Sequence, residues 1–371
     1  MPTRSLPHSS RQLSVFIVID FFYFVRHLAV NALTLLIRNL DRNLDALQFA
    51  DDNQRYPTLE AFFARCLQSS ESAGSTTAWV CASFGIERQY DWPAGAILAQ
   101  ARGEPDTATF WVCAAPVHLA IDRDDLILQP RSQLRLSERE SRTLFSLLEP
   151  HFAEHELEMK HVDTGLWCVG SKRAQHLETT DIELAEGRSV DGLQPSGNDA
   201  AWWQRLLIEA QMSLHEHPVN LAREERGDLP INSLWLWAGG TAPAVHKRFD
   251  TMCVADPLLR GAASVSQARL IEMPNNALDV IAESEHALVE ITMAAHDAPD
   301  AQLEALESDW FAPAWQALAN GRLDQLTVVL PQPNTVIVCH CDRKARRRFW
   351  KRRRALSQAF PRFLTLSRMN T

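Results

Sequence analysis

An α/β fold on a mostly parallel, doubly wound sheet is predicted by three observations. Strand-like and helix-like runs alternate from Ser233 to Val338. The run Ser233 to Trp237, SLWLW, is apolar nearly throughout, as a strand covered on both faces should be. Gly239 and Gly240 follow at its carboxyl end, the edge where open α/β sheets place ligands. With 371 residues, 46% of them hydrophobic and 22% charged, the chain can bury a large core in one domain or two.

In chain order, residues 1–30 are read as an extension outside the core. Leu13 to Val25 is apolar, but it contains Asp20 and ends at Arg26-His27. An acid inside a spanning helix costs about 2.5 to 3.5 kcal/mol, so translation starting further downstream is preferred over membrane attachment. The first core strand is expected at Ala32 to Ile37. Leu59, Phe62, Phe63 and Leu67 recur at helical spacing, and Glu71 to Thr77 reads as a polar break. Phe110 to Ala114 is a buried strand, and Asp122 to Asp125 is a hairpin turn before Leu126 to Leu128, since Asp bonds its own backbone in turns. Ser137 with Glu140 makes a capping box for a helix reaching Leu148. Glu156 to Lys160 and Leu166 to Val169 read as strands, which places antiparallel strands in the N-terminal half.

Gly187 to Asn198 carries three glycines and a proline and marks a soft boundary, giving portions 31–190 and 191–342. After it, Asp199 is expected to cap a helix with Trp203, Leu206, Leu207, Ala210 and Leu214 on one face, which Pro218 stops. Beyond Gly240 come a strand at Thr251 to Ala255, a helix at Leu258 to Arg269 capped by Asp256-Pro257, and a strand at Ala287 to Met293. A long helix then starts at Asp300, and two strands follow at Leu326 to Leu330 and Thr335 to Val338.

Charge is unevenly spread. Nine of the 37 basic residues lie within 343–354 with no acid among them, so the remaining body carries 28 basic against 46 acidic residues, a net −18. An acidic body with a basic tail at 343–371 is not a general nucleic-acid binder, and neither nucleic acid nor membrane is expected as a partner. The tail is read as a terminal helix packing Phe349, Trp350, Leu356 and Phe360. Seven scattered cysteines point to a reducing compartment, the cytoplasm by default. Cys339-His340-Cys341-Asp342 has metal-ligand types but no second pair at zinc-finger spacing, and it is read as a buried strand end. No cofactor or metal is expected.

The densest chemistry lies between the 202–214 helix and Gly240. His217, Asn220 and Arg223 could form a cup for an anionic small molecule, with Asn232, Gly239, Gly240 and, from the next helix, Arg260 as further ligand-binding candidates. Glycines at a strand end let backbone N–H groups approach an anion. The competing reading has the same side chains bracing the turn, with Arg223 paired to an acid across the fold.

The run Leu206 to Pro243, with HPVN at 217–220, Arg223, PIN at 230–232 and LWLWAGG at 234–240, resembles regulatory proteins of the RpfE type. That likeness extends through PVHL at 116–119 and DPLLRG at 256–261. More distantly the same run is similar to archaeal-type cofactor-independent phosphoglycerate mutases, of the alkaline-phosphatase-like superfamily. This resemblance implies a doubly wound core and a two-metal site of Asp, His and a Ser or Thr nucleophile. The chain departs from it: Arg38-Asn39-Leu40-Asp41 follows the first strand where an aspartate and glycine are expected, no nucleophile loop is recognisable, and only His296, Asp297 and Asp300 stand after a late strand. Three function classes follow. The first is a non-catalytic or regulatory protein on a mutase-like scaffold without its metals; the others are an active phosphomutase or phosphatase, and a nucleic-acid-associated factor acting through the tail.

Overall fold

The computed structural model describes residues 31–41, 56–71, 74–103, 110–123, 125–173, 175–294, 298–348, 350–351 and 356. The readings made for residues 1–30, for His296 and Asp297, and for the tail at Phe349 and Phe360 lie outside them. Strands in chain order are β1 (Ala32–Arg38), β2 (Leu67–Glu71), β3 (Phe110–Val117), β4 (Leu119–Asp122), β5 (Asp125–Leu128), β6 (Leu157–Asp163), β7 (Leu166–Ser171), β8 (Ser233–Gly240), β9 (Thr251–Cys253), β10 (Arg269–Leu270), β11 (His286–Thr292), β12 (Gln325–Gln332) and β13 (Thr335–Asp342). The helices are α1 (Pro57–Arg65), α2 (Thr76–Ser83), α3 (Ala94–Ala101), α4 (Arg131–Leu134), α5 (Glu138–Glu154), α6 (Ile182–Ala185), α7 (Ala200–Leu214), α8 (Pro218–Glu225), α9 (Pro257–Ser266), α10 (Ala277–Glu283), α11 (Pro299–Ala305), α12 (Ala312–Asn320) and α13 (Arg343–Arg346). A π-helical stretch, Leu306–Phe311, joins α11 to α12.

Two larger sheets divide the strands. The first runs β10-β9-β11-β1-β12-β13-β2, parallel from β10 to β12 and antiparallel at β13 and β2. The expected α/β class therefore holds. β1 is apolar on both faces because it is covered on both. Leu33, Leu35 and Ile37 pack under α1, α12 and the π-helical stretch, while Leu36 faces α2 and α3. The second sheet, β6-β7-β3-β8, is wholly antiparallel and shares its inner face with that second core. Its outer face, with Val112, Trp167 and Leu236, is covered by α5 and α7. Both sheets draw strands from both sides of residue 190, so chain order and layer do not coincide.

Several local readings change. The run 233–240 is not a strand of the parallel sheet: β8 is the edge of the antiparallel one, paired to β3. Pro218 does not simply end a helix. It occupies the first turn of α8, where a missing N–H costs nothing, so the expected loop is helical. Asp199 stands at the N-terminus of α7, yet its carboxylate accepts the His176 N–H at 2.6 Å rather than an N–H of its own helix. Leu67 opens β2 instead of closing a helix face. The expected strand 251–255 stops at Cys253, and α9 stops at Ser266, where Gln267 turns left-handed and frees Arg269 and Leu270 for the sheet.

Other expectations hold. The Ser137 capping box is complete, and Asp122 pairs with Asp125 across a hairpin. Strand alternation splits the 339–342 cluster: Cys339 and Cys341 enter the core, while the His340 ring bonds Thr327 and Gln325 at 3.0 Å. Leu356 is buried, whereas Trp350 is exposed. Among the described residues no helix is long and apolar enough to cross a membrane.

Candidate functional site

The parallel strands deliver their carboxyl ends to one edge, and there the chain collects charge. β1 ends in Arg38. Its neighbour β11 carries Glu290, an acid within an otherwise apolar buried run, and β9 leads directly into Asp256 at the cap of α9. Arg38 Nε donates to Glu290 Oε1 at 2.6 Å and Arg38 Nη2 to Asp256 Oδ2 at 3.0 Å, with Glu183 Oε1 4.0 Å from Nη1. The second Glu290 oxygen accepts the Ala255 and Asp256 N–H groups, each at 2.8 Å. Burial alone would lower the Arg38 pKa, but Asp256, Glu290 and Glu183 outweigh it and hold the guanidinium charged. Burial raises the Asp256 pKa, against the opposing pull of Arg38.

Beside this cluster is a cavity of about 180 Å³ between the two sheets. Its polar wall contains Thr76, Thr77, Asp181, Glu183 and Asp256, and Trp237 of β8 closes the apolar side. Ser75, buried at the N-terminus of α2, accepts the Ala78 N–H at 3.2 Å. The Thr77 and Ser75 hydroxyls lower the pKa of the nearby Asp181 carboxyl. Burial, followed by the Glu183 charge, pushes Asp181 up to about 6. A Glu183 oxygen accepts the Thr76 N–H at 2.9 Å, so a carboxylate of the chain itself sits on the α2 N-terminus, where an anion would be favoured. A carboxyl with a pKa raised to about 6 can hold and release a proton at Asp181 Oδ, at the wall of the cavity.

The residues singled out from sequence do not line this cavity. His217 caps α8 through Nδ1, accepting the Val219 N–H at 3.3 Å. Asn220 is buried; its amide donates to Leu214 O and Ile231 O, and its oxygen accepts the Ile231 N–H at 2.8 Å. Arg223 is fully buried and donates to Leu229 O at 2.8 Å, to Glu140 Oε2 at 3.0 Å and to the Leu134 carbonyl. Asn232 clasps Leu119 with a bond to its N–H at 2.8 Å and one to its carbonyl at 2.9 Å. Gly239 and Gly240, at the far end of β8, leave room for neighbours rather than for a ligand. An added Cβ would lie 2.6 Å from the Phe110 ring at Gly239 and 2.6 Å from Pro93 at Gly240. Arg260 is exposed on α9 and reaches Val254 O at 3.3 Å. His217, Asn220 and Arg223 come together on α8; the glycines and Arg260 do not join them.

Sequence reading missed Ser75, Asp181, Glu183 and Glu290. Two signals were available: an acid inside the buried strand HALVEIT, and a serine that directly follows a glycine and directly precedes an apolar helix. Of the ligand types implied by resemblance, this edge presents carboxylates among its described residues, while His296 and Asp297 lie outside them. The carboxylates are already satisfied by Arg38 and by backbone N–H groups, and the cavity wall contains no histidine.

No family model matches the chain. Among curated proteins, a 2,3-bisphosphoglycerate-independent phosphoglycerate mutase of Methanosarcina mazei is 35% identical over 78 residues, 21% of this chain and 20% of that one. Its counterpart in Methanosarcina barkeri is 25% identical over 150 residues, 37% of each chain. A probable enzyme of the same name from Geobacter sulfurreducens is 28% identical over 142 residues, 36% of this chain and 34% of its own. The chain thus spans between 20% and 37% of the length of these curated relatives. Among solved structures, a protein of Pyrococcus horikoshii superposes with a TM-score of 0.50 at 13% identity, over 92% of this chain and 98% of that one. Over these stretches the chain is distantly similar to cofactor-independent phosphoglycerate mutases, and it shares the α/β fold of the Pyrococcus horikoshii protein.

Proposed function

We propose that the chain is a phosphoryl-transfer protein of the phosphoglycerate mutase type, a phosphomutase or a related phosphatase, working on a small phosphorylated anion at the carboxyl-edge cavity. The observation that carries this is the pairing, at the N-terminus of α2, of the buried Ser75 with Asp181, a carboxyl that burial raises to about 6 and that the Ser75 hydroxyl pulls the other way. On this reading Asp181 takes the Ser75 proton while the serine oxygen attacks phosphorus. The bond from phosphorus to the substrate oxygen breaks, and the phosphoryl group is then returned to a second hydroxyl or to water. The names of the curated relatives support the same class. Seven free cysteines support a cytoplasmic setting.

The test is conversion of 3-phosphoglycerate to 2-phosphoglycerate by purified full-length protein, with and without added manganese, beside a panel of phosphomonoesters. Ser75→Ala and Asp181→Asn should abolish turnover. A folded wild-type protein that turns over none of these compounds and acquires no phosphate on Ser75 would sink the reading.

A second reading, a non-catalytic or regulatory protein of the RpfE type, is favoured by one specific observation. Arg38 places a fixed cation among the edge carboxylates, and Glu183 places a fixed anion on the α2 N-terminus. A site satisfied by its own charges can bind and signal without transferring phosphate. Saturable binding of a phosphorylated anion with no turnover would select it.

A further inference from the structure

We propose that His151, His155 and Glu209 form a zinc site that clamps α5 to α7. The two histidines stand four residues apart on α5, so both rings project from one face, and Glu209 meets them from α7. Glu209 Oε2 lies 3.4 Å from His151 Nε2 and 3.3 Å from His155 Nε2. The three ligand atoms all fall within 4.8 Å of one another. Zinc bonds of about 2.0 to 2.2 Å at tetrahedral angles separate their ligand atoms by roughly 3.3 to 3.6 Å, which both histidine–glutamate distances match.

A second observation is independent of that spacing. His151 Nε2 is shut off from solvent and has no hydrogen-bond partner, an expensive state for a buried ring nitrogen unless something binds there. The rings are also held in place: His155 stands edge-on to Trp202 at 6.1 Å, and His151 edge-on to Phe152 at 6.0 Å. His155 caps the carboxyl end of α5, where the helix dipole is negative and favours a cation. Two imidazoles and one carboxylate suit zinc over magnesium or calcium, which prefer all-oxygen sets. With three protein ligands, each side chain partly exposed, the fourth position is left to water. The site lies on the outer face of the antiparallel sheet, away from the cavity, and does not depend on the phosphoryl-transfer reading.

Chelator-stripped full-length protein should bind one equivalent of zinc at this site, and cobalt in its place should give visible absorption bands of a low-coordinate N/O site. His155→Ala and Glu209→Gln should each weaken zinc by at least about tenfold and erase the cobalt bands. Zinc should raise the melting temperature of the wild type and not of Glu209→Gln. Asp250→Asn, which alters the only other such cluster among the described residues, should change nothing. Circular dichroism confirms that each variant is folded. Wild type and both α5–α7 variants binding zinc equally, no tight zinc in the wild type, or sensitivity confined to Asp250→Asn would each overturn the proposal.

Discussion

Arg38 Nε lies 2.6 Å from Glu290 Oε1 across adjacent parallel strands, and the Glu290 side chain is only 3% exposed. Its other oxygen is committed to two backbone N–H groups, so Arg38 is the cation that neutralises it. Removing one member of a buried pair strands the other charge, at a cost of about 3 to 5 kcal/mol. Arg38→Ala should fall near the low end, because those backbone bonds remain, and Arg38→Ala with Glu290→Gln should recover part of the loss. The urea midpoint is the measurement; an unchanged midpoint in Arg38→Ala would remove this pair from the account of stability.

Arg223→Ala should destabilise by a similar amount, about 3 to 5 kcal/mol, since its guanidinium is fully buried and ties α4, α5 and the 229 turn to α8. Arg223→Lys should not rescue it, because a point ammonium cannot serve three partners in a plane. If Arg223 instead held an anion, the alanine variant would lose ligand and keep its melting temperature. Thermal unfolding and anion binding on the same variant separate these outcomes.

These two arginines mark how far local pattern carries. β1, β11 and β12 were readable because strands buried on both faces are mostly apolar, and α5 because a capping box is a local signal. The sheet that β8 joins was not readable. Its apolar run suits either sheet, and its partner β3 lies more than a hundred residues upstream. The importance of Arg38 was equally hidden, since Asp256 and Glu290 reach it from 218 and 252 residues away. Arg223 drew attention because the 217–240 run is dense in polar and aromatic residues. That density serves three turns that must satisfy buried backbone groups, which a sequence cannot distinguish from a ligand cup.

Two carboxyls should shape the pH dependence of stability with opposite signs. Burial raises the Glu140 pKa, but bonds from Ser137 and Arg226 and the charge of Arg223 outweigh it and hold the group at about 2 instead of 4.5. Its contribution is present above about pH 4.5 and is lost as pH falls towards 2. Asp181, raised from 3.8 to about 6, contributes below pH 3.8 and loses that contribution as pH rises through 6. Glu140→Gln should therefore flatten the acid limb, and Asp181→Asn the slope between about pH 4 and 6. Urea unfolding at stepped pH reads both, and parallel curves for wild type and variants would contradict the assignment.

Ser75 is the residue at which stability and function can be told apart. As an N-cap it accepts the Ala78 N–H, and loss of such a cap costs about 0.5 to 2 kcal/mol. Ser75→Ala should lower the melting temperature by several degrees at most while leaving the fold intact. Ser75→Asn keeps a capping oxygen without adding a charge beside Asp181 and Glu183, and Ser75→Thr keeps both cap and hydroxyl. If the hydroxyl is a nucleophile, activity should vanish in Ser75→Ala and in Ser75→Asn, although the latter keeps the cap, and only Ser75→Thr should retain a fraction. If the residue is a cap alone, any measured ligand binding should follow stability across all three variants. Activity that survives in a folded Ser75→Ala protein would remove the serine from the chemistry and leave it a helix cap alone.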